Sequence, residues 1–191
     1  MANDDKVRIL PYDRIYKNFI NQKYIPKGKD EYYLRNEQSV FPEEKWRHLR
    51  ADEIESLVNN KNVAISWDDV LVTDEFDPKM VKRNSFFGLV RIGRIKREVL
   101  EYHDLRVPVG ITDSSIVSCD IGDDVAIHNV HYLANYIIND RCILFNVNEI
   151  STTDHSKFGN GILKEGEDED VRASAHAPSG SLGCRYSFPR R

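Results

Sequence analysis

No apolar run in the 191 residues approaches the roughly 20 positions needed to cross a bilayer, and Met1 to Lys6 lack the basic-then-apolar plan of a signal peptide. Neither a membrane span nor a secretory leader is expected, which places the chain in the cytoplasm. Cysteine is scarce: Cys119, Cys142 and Cys184 show no Cys-x-x-Cys spacing, so neither a disulfide framework nor a zinc knuckle is suggested. Positive charge is not in excess either, with 27 Lys and Arg against 31 Asp and Glu and a net charge of -4. Nucleic acid and anionic membrane surfaces are therefore not expected partners. The chain is long enough to bury a core without staples, and what organises that core is a repeat.

Ile121-Gly-Asp-Asp-Val-Ala-Ile-His-Asn-Val130 returns as Ile138-Asn-Asp-Arg-Cys-Ile-Leu-Phe-Asn-Val147, with Ile121/Ile138, Asp123/Asp140, Asn129/Asn146 and Val130/Val147 identical. Gly122 and Asn139, the two residue types most tolerant of positive φ, exchange at the second position. From Val109 onward an inward column is expected at every sixth residue: Val109, Ser115, Ile121, Ile127, Leu133 and, after a one-residue slip, Ile138, Leu144 and Ile150. A period of six is neither the 3.6 of a helix nor the two of a flat strand. It is the spacing of hexapeptide parallel β-helices, in which three short sides close a coil of about 18 residues. Asp113 and His131 fall at the fifth place of their hexads, where a small or aliphatic residue is expected. Cys119 and Cys142 read as small core residues.

The rest of the chain is arranged around this block. Residues 1–48 mix tyrosine and phenylalanine with charges and are interrupted by Pro11, Pro26 and Gly28, as in an extended arm wrapped on a larger body. Leu49 to Asn60 places Leu49, Ile54, Leu57 and Val58 on one face of a short amphipathic helix. Val63 to Val72 reads as strand pieces broken at Asp68-Asp69, and the charged stretch Arg94 to Asp104 as a loop or short helix leaving the body. The expected organisation is an arm over 1–48, a β-helix domain with its short helix over 49–171, and a disordered or non-native tail over 172–191. Glu165 to Asp170 reads as a solvated acidic loop.

On these residues the chain resembles the left-handed parallel β-helix, or hexapeptide-repeat transferase, superfamily over about Phe86 to Ile150. More narrowly, Phe86-Phe-Gly-Leu-Val-Arg-Ile-Gly93, His103-Asp-Leu-Arg-Val-Pro-Val-Gly110 and Lys157-Phe-Gly-Asn-Gly-Ile-Leu-Lys-Glu-Gly-Glu167 resemble an uncharacterised bacterial family of unknown function. The resemblance implies a mainly β, left-handed β-helix and a homotrimer with clefts between coils. It also implies an N-terminal fragment of a longer protein with more coils. The activity it implies is acyl or nucleotidyl transfer involving a sugar or nucleotide-sugar, with acetyl-CoA or a nucleotide-sugar as co-substrate.

In that chemistry a histidine removes a proton from the acceptor, which suits an imidazole titrating near neutrality; His128, His131 and His155 are the candidates. Asp154, Lys157, Gly159, Asn160 and Gly161 are the candidate substrate-binding residues, because Gly-Asn-Gly lets backbone amides approach a phosphate. Zinc on His103, His128 and His131 would follow the γ-class carbonic anhydrases, but the His128-x-x-His131 spacing is narrower than theirs, so no metal is expected. A non-catalytic β-helix module for oligomerisation or carbohydrate binding is the alternative.

Overall fold

The computed structural model describes residues 7–20, 22–39, 41–152 and 180–182. The chain is mainly β, with few helices and short parallel strands in a curled sheet. In chain order the longer elements are α1 (Glu31–Gln38), β1 (Arg47–His48), α2 (Ala51–Asn59), β2 (Val63–Ala64), β3 (Val70–Val72), β4 (Val81–Lys82), β5 (Ser85–Phe87) and β6 (Val90–Ile92). There follow β7 (Val99–Tyr102), β8 (Leu105–Pro108), β9 (Gly110–Thr112), β10 (Ser115–Val117), β11 (Asp120–Ile121), β12 (Ala126–Ala134), β13 (Tyr136–Ile138), β14 (Ile143–Ser151) and β15 (Gly180–Leu182).

Three lanes of parallel pairing run through the body. One joins β3, β6, β11, β13 and β15. A second joins β2, β5, β10 and the latter half of β12, and a third joins β4, β9 and the first half of β12. β14 pairs with β12 along both halves, from Ala126↔Ile143 to Ala134↔Ser151. The doubled decapeptide is therefore two stacked layers in register, Ile121 on Ile138 and Ile127 on Leu144, 17 positions apart in each case.

Ile121, Ile127, Leu133 and Ile138 are fully buried and Leu144 nearly so, as expected of the inward column. The register differs before Ile121. Ile111 pairs with Ile127, and Ile116 with Leu133, so these two residues, not Val109 and Ser115, continue the column. The steps from Ile111 to Ile116 and on to Ile121 are five residues, not six, because these sides turn one residue sooner.

The turns use left-handed backbone, mostly on Gly, Asn and Asp but also on Arg83, Ser118 and Arg141. Arg83, Asp113, Asn129 and Asn146 form one corner column at φ 54–55°, Gly88, Ser118 and Asn135 a second, and Asp124 and Arg141 a third. Asp113 thus sits outside on a corner, and His131 is exposed just after one. Asn129 Nδ2 donates to Asn146 Oδ1 at 2.8 Å, so the asparagines repeated in the decapeptide stack as a ladder. Gly122 has ordinary backbone; it is glycine because a Cβ there would lie 2.6 Å from the Asp140 backbone nitrogen. Asp140 Oδ1 accepts from the Asp123 amide at 2.7 Å, and Asp123 Oδ1 from the Arg94 amide at 2.9 Å, so close approach of the layers is what this position requires.

Two further expectations are corrected. The stretch Arg94 to Asp104 is a loop only as far as Glu98: from there Val99–Tyr102 pairs antiparallel with Leu105–Pro108 as a hairpin. His103, at φ 51°, makes the tight turn possible. The hairpin enlarges one coil, so that Ser85 pairs with Ser115, 30 positions on. The arm is not simply extended, since it contains α1, capped by Asp30, whose carboxylate accepts from the Tyr33 amide at 2.9 Å. In the tail, Gly180–Leu182 pairs parallel with β13; the rest of 172–191 lies outside the described residues.

α2 falls within the expected span, but its most buried residues are Leu57 and Glu53, each 1% exposed, while Val58 is exposed. Arg47 explains the buried carboxylate: its Nη1 and Nη2 donate to both Glu53 oxygens at 2.9 and 2.8 Å, and the Arg50 amide adds a third bond at 2.8 Å. The Arg47 bond, chiefly, holds the Glu53 carboxyl below its ordinary value of 4.5. A depressed folded pKa means the stabilisation is present above the unfolded value and is lost as pH falls through the folded one. Melting wild type and Glu53→Gln from pH 7 to 3 should show a gap that narrows below about pH 4.5. A gap that stays constant would show that ionisation of Glu53 contributes nothing.

Candidate functional site

His128 stands on the first half of β12, beside the foot of the hairpin. Its Nε2 lies 2.7 Å from the Pro108 carbonyl oxygen, which only accepts, so Nε2 carries the proton and donates. Nδ1, 2.8 Å from Thr112 Oγ1, is then the acceptor for that hydroxyl. The ring is 9% exposed and both nitrogens are engaged. His131, by contrast, is exposed. His103 lies on the hairpin turn, edge-on to Tyr102 at 4.3 Å. Among the described residues no three His, Cys, Asp or Glu side chains converge as a metal-binding group. Asp154, His155, Lys157, Gly159, Asn160 and Gly161 lie outside the described residues.

Cys119 is a free, fully buried thiol that donates to the Val117 carbonyl at 3.1 Å. Burial pushes its pKa up to about 12, so it carries almost no thiolate at neutral pH and is a packing residue. Cys142 is equally buried, as expected of a small core residue.

The densest buried charge in the described chain lies between the arm and the parallel lanes. Asp120, on β11, has no exposed side-chain surface. Its carboxylate accepts from Arg91 of β6 through two bonds, Nε at 2.6 Å and Nη2. Arg35 of α1, also fully buried, places Nε 3.3 Å from the same carboxylate but outside hydrogen-bonding geometry, and its Nη1 donates to the Leu89 carbonyl at 3.0 Å. Its guanidinium packs over the Tyr32 ring at 4.9 Å. Two guanidinium groups thus share one carboxylate, and burial lowers the Arg35 pKa from its ordinary value.

Around this trio the arm is tied down by polar contacts. Arg91 Nη1 donates to Asn36 Oδ1 at 2.7 Å, and the Asn18 amide donates to Glu31 at 2.5 Å. The Tyr32 hydroxyl lies 3.1 Å from the Tyr16 carbonyl and 3.3 Å from Ser118 Oγ. Lys45 pairs with Asp123 at 2.8 Å. Chemically this seam neutralises buried charge and docks the arm. Sequence reading missed it because its members are local only in space, although Asp120 next to the buried Cys119 was a signal: a carboxylate inside an apolar stack requires a cation.

The model of a domain of unknown function, DUF4954, matches residues 46–170. The chain belongs to the DUF4954 family. The DUF4954 match takes in α2 and the strands from β1 to β14, and begins after α1. An uncharacterised protein of Treponema pallidum (strain Nichols) is 46% identical over 184 residues, covering 96% of this chain. The chain spans about a quarter of that relative's length. No solved structure matches. No helix among the described residues is long and apolar enough to cross a membrane.

Proposed function

We propose that this DUF4954 chain is a non-catalytic, left-handed β-helix module for binding or assembly, in which the coil is a rigid mount for the N-terminal arm. The observation that carries the reading is His128. An imidazole acting as general base needs a free lone pair within reach of the acceptor proton, and here the Thr112 hydroxyl occupies it while the Pro108 carbonyl holds the opposite N–H. Other polar groups of the coil are likewise engaged between layers: Arg83 with Asp113 at 2.6 Å, Asn84 with Asn62 and Ile111, and Asn135 with Thr152. Inward aliphatic stacking at five- and six-residue steps supports the hexapeptide geometry, and the homotrimer usual for that fold is the assembly proposed.

The competing reading is transfer of an acyl or nucleotidyl group to a sugar or nucleotide-sugar, with His131 or His155 as base. Isothermal titration of the full chain with acetyl-CoA and a panel of nucleotide-sugars separates the two. The module reading expects no dissociation constant in the micromolar range. A micromolar constant that His131→Ala or His155→Ala weakens overturns it in favour of the transferase. Sedimentation equilibrium tests the trimer, and a monomer at all concentrations removes that part of the proposal.

A further inference from the structure

The apolar core and the surface on which the arm docks are separate. Among the described residues, the buried cluster that fills the parallel lanes begins at Leu57, with Leu49 packed against it, and takes in no residue of the arm. Phe19 and Ile20 of the arm are buried outside that cluster. The arm is tied to the lanes by polar contacts instead: Arg35 with the Leu89 carbonyl, Asn36 with Arg91, and the Tyr32 hydroxyl with Ser118.

Charge divides unequally between the two sides of this seam. On the lanes, Asp120 receives Arg91 through Nε at 2.6 Å and through Nη2, so that pair is bidentate and neutral without the arm. Arg35 of α1 brings a second cation to a carboxylate already matched. Its Nε and Nη2 find no hydrogen-bond acceptor, although the side chain is fully buried. Glu31, one turn earlier on α1, is engaged by the Asn18 amide within the arm. Loss of water is the first cause that lowers the Arg35 pKa, ahead of the attraction to Asp120 that raises it. Docking therefore strips Arg35 of hydration that the seam replaces only in part. Undocking restores that hydration and leaves Arg91 and Asp120 paired with each other.

We propose that the arm is a releasable strap: α1 undocks from the lanes as a unit, short of global unfolding, and uncovers the outward face that carries Arg91 and Asp120. Lys45, paired with Asp123, and β1, paired with β3, hold the root of the strap. Stability is not uniform across a fold, and units with few contacts to the core open first. The device goes beyond the module reading and does not depend on it, since the strap opens whether or not the chain transfers a group.

Hydrogen-deuterium exchange of the full chain, followed by mass spectrometry of peptides from α1, β11 and β13, tests the strap. Protection of α1 should be lower than that of β11 and β13 by at least about tenfold. Arg35→Met keeps a long apolar stem and removes the excess charge, and it should slow α1 exchange at least about fivefold. Asp120→Asn leaves both guanidinium groups without a counter-charge, and it should speed α1 exchange by at least about the same factor. A seam that merely held the arm would loosen in both variants, whereas a strap moves in opposite directions. Circular dichroism and melting report whether each variant folds, and the first comparison needs only the parent chain. The proposal is overturned if α1 is protected to within about tenfold of the two strands, if folded Arg35→Met fails to slow α1 exchange, or if folded Asp120→Asn fails to speed it.

Discussion

Replacing Asp120 with alanine will lower the melting temperature by about 6–20 °C. The range follows from about 3–5 kcal/mol for breaking a buried ion pair and about 2–4 °C per kcal/mol in a chain of this size. The cost comes from what is left behind. Arg91 loses both bonds to the carboxylate, and Arg35, fully buried and already lacking a partner for Nη2, loses the nearest opposite charge. Asp120→Asn should behave similarly, because it keeps the shape and removes the charge. Adding Arg91→Met to Asp120→Ala should recover part of the loss, since the double variant no longer buries one of the two stranded cations; the cycle measures the coupling. A shift under about 2 °C in both single variants would mean that the guanidinium groups reach water by a small movement of α1, and that the seam does not hold the arm.

Ile121→Asp and Val130→Asp will each unfold the stacked parallel strands. Both side chains are fully buried among aliphatic neighbours. An unpaired carboxylate there costs several kcal/mol of desolvation, and the lost aliphatic packing adds to it, against a total stability of about 5–15 kcal/mol. Far-UV circular dichroism and the dispersion of amide resonances read the outcome. Phe145→Asp is the control, because Phe145 lies on the same repeat but is 49% exposed, and it should melt within about 2 °C of the parent. If Ile121→Asp melted like Phe145→Asp, the inward assignment of the column would be wrong.

These two experiments probe features of unequal legibility. The column from Ile121 to Leu144 can be read from sequence because each stacked layer repeats the same requirement, an inward aliphatic residue, at nearly fixed spacing. Asn129 over Asn146 is legible for the same reason. The register failed at Val109 and Ser115, where five-residue sides replace six and the strand after the hairpin must be placed by its partner. Only the pairing of Ile111 with Ile127 and of Ile116 with Leu133 decides that. The corners were misread at Gly122 because positive φ is usually sought at glycine. Arg83, Ser118, Asp124 and Arg141 adopt it instead, at a local cost of about 1–2 kcal/mol each that stacking must offset.

The histidines show the same boundary from the side of chemistry. Imidazole near a repeat is a fair candidate base from sequence, and nothing local distinguishes His128, whose two nitrogens are bonded, from His131, which is exposed. The seam is less legible still: Arg35, Arg91 and Asp120 come from the arm and two strands, with no period linking them. The sequence by itself determined that this protein is mainly β, built of short stacked layers with Ile121 to Leu144 inward, and a member of an uncharacterised family, because apolar periodicity and residue identity are local properties. Tertiary structure alone decided which corners carry left-handed backbone, which histidine is bonded at both ring nitrogens, and how the arm is charged and docked. Each of those depends on a partner supplied by another layer, and a buried polar group has no stable position until that partner is present.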